Sequence, residues 1–140
     1  MTRDVIVVAP AAPLALAWSL MQKHRIRHLL VCERGALLGV VSDRDLFLAG
    51  SRSSDGGLAF PEEVVGSIMS MAVVTCAPSA SVAEAARMMI DKKIDALPVR
   101  SGNRLVGLVT STDLLALLLE SAPHEVLPFE FRVEEVTLAA

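Results

Sequence analysis

Two stretches pair a hydroxyl residue with an aspartate three positions later: Ser42-Asp-Arg-Asp45 and Thr110-Ser-Thr-Asp113. Each follows a glycine-led apolar run, Gly39-Val-Val and Gly107-Leu-Val. Two kinds of chemistry fit this spacing. The first is helix capping, in which the hydroxyl accepts a backbone N–H bond and the acid reaches back to the cap residue's own N–H. The second is ligand recognition. A short carboxylate just inside a helix start can accept two hydrogen bonds from a ribose diol. A hydroxyl beside free helix N–H groups suits a phosphate. A cap alone, at ~1 kcal/mol, is reason enough for such a motif. Two features favour the ligand role: both motifs use Asp where Ser81-Val-Ala-Glu84 uses the longer Glu, and both sit directly after a strand.

The elements that carry the motifs are themselves duplicated. At an offset of 68 residues, positions 1–46 and 69–114 match at 16 of 46 sites without a gap. Met1 falls on Met69, Val5 on Val73, Ala9-Pro10 on Ala77-Pro78, Ile26 on Ile94, Gly39 on Gly107 and Asp45 on Asp113. Two copies are too few for a solenoid and point instead to a pseudo-twofold pair sharing one core.

The second copy reads as strand, helix, strand, strand, helix. Val73 to Thr75 form a short strand broken at Pro78. A capping box at Ser81 and Glu84 opens a helix to about Lys93, with Val82, Ala85, Ala86, Met89 and Ile90 on one face. Asp95 to Val99 is a strand, Gly102-Asn103 centres a hairpin turn, and Leu105 to Val109 is apolar enough to be buried on both faces. Thr110 caps a last helix that Pro123 stops. In the first copy Pro13 takes the cap position without a capping hydroxyl. Leu14, Ala17, Trp18 and Met21 form the inward stripe, and Arg34-Gly35 makes the turn. Between the copies, Gly50 to Gly57 reads as a flexible loop, and Pro61-Glu-Glu63 starts a short helix toward Met69. In the tail, alternation of Phe129, Phe131 and Val133 with charged residues suggests a strand. The organisation is thus residues 1–50, a first repeat; 51–68, a linker with a short helix; 69–120, a second repeat; and 121–140, a C-terminal tail.

Composition narrows the function. The 140 residues are 53% hydrophobic with a net charge of −3, and the mean hydropathy is +0.53. That value implies apolar surface buried between subunits. The helix over Leu114–Leu119, apolar nearly all round, and Leu46-Phe-Leu-Ala49 are the expected dimer surfaces. No apolar run is long enough to span a bilayer, and no signal peptide is evident, so the expected location is cytoplasmic with no membrane insertion. Scattered cations and 4% aromatics argue against nucleic-acid binding. Cys32 and Cys76 are isolated and read as reduced thiols. His24, His28 and His124 are the only histidines. With no metal-spaced cluster, P-loop or nucleophile elbow, the chain reads as non-enzymatic, with no required cofactor and no metal.

The pattern Met-x(3)-Val-x(4)-Pro, an Ala-rich helix, Ile94-Asp-Ala-Leu-Pro-Val99, then Gly107 through Asp113-Leu114 resembles a CBS domain, the cystathionine-β-synthase type. Both copies carry it, so residues 1–120 resemble a stand-alone tandem CBS pair. The first copy departs from the pattern at Leu30, where the second has Pro98. The resemblance implies an α+β fold: two pseudo-twofold units packed sheet to sheet as one module with two clefts, commonly assembled as a homodimer. It further implies an adenosyl ligand, namely AMP, ADP, ATP or S-adenosylmethionine, and regulation of a separate, unidentified protein. An interaction or scaffold dimer with empty clefts is the alternative. The site residues expected on this basis are Ser42, Arg44 and Asp45 with Val5, Ile6, His28 and Leu30 in one cleft. The other holds Thr110, Thr112 and Asp113 with Val73, Val74, Ala96 and Pro98. Arg44, with Asp43 beside it, is expected to let its cleft tolerate more phosphate charge.

Overall fold

The computed structural model describes residues 5–135. The alignment of Met1 with Met69 and the last five residues of the tail lie outside them. The first repeat runs through β1 (Val7–Val8), α1 (Leu14–His24), β2 (His28–Glu33), β3 (Ala36–Ser42) and α2 (Asp43–Ala49). The link forms β4 (Ser51–Arg52) and β5 (Leu58–Ala59), and a single 3-10 turn at Val65–Ser67. The second repeat has α3 (Val82–Lys92), β6 (Ala96–Ser101), β7 (Arg104–Thr110) and α4 (Ser111–Ser121).

The two β-hairpins follow from their turn residues. Arg34 and Gly35 both take positive φ, 53° and 82°, as a two-residue type I′ connection requires, whereas the second turn needs it only at Gly102, φ 60°. β1 pairs parallel with β2, and β2 antiparallel with β3. β6 and β7 repeat the antiparallel pair. The repeats then join where β3 meets β7, giving the order β1-β2-β3-β7-β6. That junction is one ladder position, Ala36↔Arg104, at the hairpin ends. It is closed by Leu37 N–H to Asn103 O and Leu105 N–H to Gly35 O, both 3.1 Å.

Several local expectations are corrected. No strand forms over Val73–Thr75; only Cys76 bridges Val99. Upstream, Ser70 is held by Val40 of the first repeat through bonds of 2.9 and 3.0 Å, and the segment reaches β6 only at Cys76, whose N–H donates to Pro98 O at 3.0 Å and whose carbonyl accepts from Arg100 N–H at 2.9 Å. The stretch expected as a loop at 50–57 contributes to the β4–β5 ribbon, whose turn is held by Asp55 accepting from Ser53 and from the Gly57 N–H. The helix expected toward Met69 shrinks to the 3-10 turn. Its N–H groups bond elsewhere, Val65 to Ala12 O at 2.8 Å and Gly66 to Pro10 O at 2.9 Å. Among the described residues the tail forms no strand; Phe129 and Phe131 meet edge to face with ring centroids 6.5 Å apart.

The core is two clusters rather than one. Leu14, Ala17, Met21, Leu29, Val31, Val41, Leu46 and Val65 fill the first, while Ala85, Met89 and Leu97 form the second. Trp18 borders the first, edge-on to Phe47 at 5.2 Å. The α3 stripe is buried only at Ala85 and Met89, with Ile90 75% exposed and Val82 also outside. Val106 is exposed too, so β7 is not covered on both faces. On α4 no residue is buried, and Leu115, Leu118 and Leu119 are exposed, as are Phe47 and Leu48 of α2.

Candidate functional site

Both hydroxyl–aspartate motifs are complete capping boxes. Asp45 N–H donates to Ser42 Oγ at 3.1 Å, and Ser42 N–H to Asp45 Oδ2 at 2.9 Å. In the second repeat Asp113 N–H donates to Thr110 Oγ1 at 3.2 Å and Thr110 N–H to Asp113 Oδ2 at 2.8 Å. The shorter acid closes the box more tightly than Glu84 does, whose return bond from Ser81 N–H is 3.3 Å. The inference drawn from acid length therefore falls. What separates these motifs from the plain cap is position. Glu84 is exposed, whereas Asp45 and Asp113 are half-buried in the wall of a cleft between the repeats. A carboxylate has about four acceptor sites, and at Asp45 the cap bond from Ser42 N–H takes one of them.

That cleft encloses about 640 Å³, within the range of small-molecule sites. From the first repeat it gathers Ile6, His28, Leu30, Ser42 and Asp45, and from the second Val73, Val74, Ala96, Pro98, Thr110, Thr112 and Asp113. A more open cleft of about 510 Å³ adjoins it, sharing Arg27, His28, Ser42, Ile94 and Asp95, and receives Arg44. Val5 alone of the expected residues lines neither.

The β2–β3 and β6–β7 strand ends position these groups. His28 begins β2 opposite Ser42 at the end of β3, and Ala96 stands in the same way opposite Thr110. One backbone bond on each side anchors the helix start: Asp43 N–H to Arg27 O, and Ser111 N–H to Asp95 O, both 2.9 Å. Across the repeats, His28 Nδ1 lies 3.6 Å from Asp95 Oδ1, while Arg27 Nε lies 3.6 Å from Asp43 Oδ2 within the first. The walls are apolar along the strands, with polar groups gathered at the strand ends. Such an arrangement can sandwich a flat apolar ring and bond a polar, anionic end.

The duplicated sequence pattern that lines these clefts matches a known family model. The CBS domain model covers residues 1–52 and 65–120. The chain belongs to the CBS-domain family. Among its CBS relatives is the Bacillus subtilis CBS domain-containing protein YhcV, 33% identical over 114 residues, spanning 81% of this chain and 79% of that protein. The crystal structure described as an acetoin utilization protein, AcuB, from Vibrio cholerae superposes with a TM-score of 0.75 at 32% identity, covering 88% of this chain and 89% of that one. CBSX2 in complex with AMP superposes with a TM-score of 0.70 at 26% identity, covering 84% and 90%.

Sequence reasoning missed part of the CBS cleft wall: Arg25, Arg27, Val40, Ser70, Ala72, Lys93 and Asp95. Arg25, Arg27 and their counterparts Lys93 and Asp95 were within reach, because the 68-residue offset already pairs them. Ser70 and Ala72 were not, since the diversion of that segment onto Val40 has no local signal.

Proposed function

We propose that this chain is a regulatory, non-catalytic CBS module that binds an adenine nucleotide between its repeats and passes the bound state to a separate protein. The observation that carries the reading is the convergence, in one cleft, of both hydroxyl–aspartate motifs with apolar strand residues from both repeats. Each motif serves one nucleotide: Asp45 or Asp113 accepts the ribose hydroxyls, Ser42 or Thr110 donates to the phosphate, and Ile6, Leu30, Val73, Val74, Ala96 and Pro98 flank the adenine. The AMP held by CBSX2, a relative by fold and sequence, supports that ligand class. Binding draws on both repeats at once, so it stabilises one relative arrangement of them over others, which a partner can read. The module acts as a homodimer, joined through the apolar faces that α2 and α4 leave exposed.

Thermal melting with AMP, ADP, ATP and S-adenosylmethionine tests the reading on the wild type and on Asp45→Ala/Asp113→Ala. A ligand at 100 times its Kd adds ~2.7 kcal/mol, and the double variant should lose most of that. Absence of any shift would sink the sensing function and leave an interaction module with empty clefts. A shift that survives the double variant would show that the ribose is held elsewhere.

A further inference from the structure

Three residues other than glycine adopt positive φ: Arg25 at 53°, Arg34 at 53° and Lys93 at 55°. This left-handed conformation strains an L side chain and is where helices and turns usually place glycine. The repeat offset turns this into a comparison. Arg34 has its counterpart at Gly102 (34 + 68), so in the hairpin turn the second repeat does use glycine. Arg25 has its counterpart at Lys93 (25 + 68), and there both repeats keep a cation.

Both positions are helix C-caps of the same geometry, φ 53° and ψ 47° after α1, φ 55° and ψ 47° after α3. A cation at a helix C-terminus is favoured in its own right. Lys23 and His24 already serve α1, however, and Lys92 serves α3. What distinguishes Arg25 and Lys93 is where they point. Arg25 lines the larger cleft, which holds both motifs: Ser42 and Asp45 of the first repeat with Thr110, Thr112 and Asp113 of the second. Lys93 lines the smaller one, with Ser42 and Arg44 of the first. Among the described residues neither makes an ion pair, unlike Arg27 and His28.

We propose that Arg25 and Lys93 are phosphate anchors acting across the repeats. Arg25 supplies positive charge to the cleft that both hydroxyl–aspartate motifs line, Lys93 supplies it from the second repeat beside Ser42 and Arg44 of the first, and together they select phosphate-bearing nucleotides over uncharged or cationic adenosyl compounds. This rests on the nucleotide reading above and deepens it. Phosphate oxygens suit such cations, whereas the sulfonium of S-adenosylmethionine is repelled by them.

The test uses Arg25→Gly, Lys93→Gly and the double variant, because glycine fits the backbone these residues occupy and so preserves the fold. Calorimetric titration compares ATP, adenosine and S-adenosylmethionine at low and high salt. Each single variant should weaken ATP about tenfold and flatten its salt dependence, with adenosine unchanged. S-adenosylmethionine should bind the double variant as tightly as the wild type or more so. ATP binding that stays within twofold of wild type, or adenosine losing as much as ATP, overturns the anchor assignment while leaving the nucleotide cleft standing. A wild type that binds neither adenosine nor ATP overturns both.

Discussion

Gly39 gives the sharpest structural prediction. It is buried in β3 opposite Val31 and next to Val40, which exchanges two backbone bonds with Ser70 at 3.0 and 2.9 Å. A Cβ at Gly39 would stand 2.7 Å from Met69 Sδ and 2.8 Å from Ser70 O. The methionine can rotate away, but the carbonyl cannot, because it is the acceptor in one of those two bonds. Gly39→Ala therefore forces the 69–70 backbone outward. Overpacking of this kind costs about 1–3 kcal/mol, and weakening the two bonds adds up to about 1 kcal/mol each. A total near 3 kcal/mol lowers the melting temperature by roughly 10 °C in a chain of this size. The displaced segment leads into Ala72, Val73 and Val74 of the cleft wall, so nucleotide affinity should fall as well. Urea melts and titration calorimetry on the same samples measure both. Gly39→Ala within about 0.5 kcal/mol of wild type would refute the steric argument, since surface-like tolerance at this site is incompatible with a fixed carbonyl.

Other outcomes follow from the caps, the apolar helices and the thiols. Ser81→Ala should cost ~1 kcal/mol in a urea melt and leave nucleotide binding unchanged, whereas Thr110→Ala should lower both; equal behaviour of the two would deny Thr110 any role beyond capping. Light scattering should report a dimer, and Leu118→Asp with Leu48→Asp should yield monomers; a monomeric wild type contradicts the interface. Burial raises the Cys32 thiol above its ordinary value, and burial followed by the Glu84 charge does so for Cys76. The unfolded thiols ionise first, so this contribution to stability is complete below the ordinary thiol pKa and is lost as pH rises from there through the folded value. Comparing wild type with Cys32→Ala should show a shallower alkaline decline in the variant; parallel curves would count against it.

Much of the fold was legible because it is written twice. The capping box at Ser81, the glycine-bearing turns at Gly35 and Gly102, and the paired Gly39 and Gly107 runs all depend on neighbours within a few residues, and each stands where its local chemistry puts it. Long-range backbone capture was not legible. The Val65 and Gly66 N–H groups bond to Ala12 and Pro10 instead of continuing a helix, and Ser70 bonds to Val40 of the first repeat. The apolar pattern of Val82, Ile90 and Val106 pointed inward, yet these side chains are exposed; periodicity marks an apolar face without saying whether this chain or another covers it. At the site, the motifs located the cleft, but Arg25 and Lys93 lay outside any motif and are distinguished only by the pairing of backbone strain with charge.

The single ladder position between β3 and β7 has a mechanical consequence. The repeats touch through β3 and β7 at Ala36 and Arg104, whereas Ser42 and Thr110 stand at the opposite ends of these strands. Each strand is thus an arm of about 20 Å, six rises of ~3.3 Å, fixed at one end by the hairpin turns. Pivoting by about 5° at that end would displace the far end by roughly 2 Å over such an arm. The far ends are tied as well: Val40 exchanges two backbone bonds with Ser70 of the second repeat, and His28 Nδ1 lies 3.6 Å from Asp95 Oδ1 across the cleft, so these ties set how far the arms that carry α2 and α4 can part. A ligand gripped there would convert its own width into a spacing between the two helices.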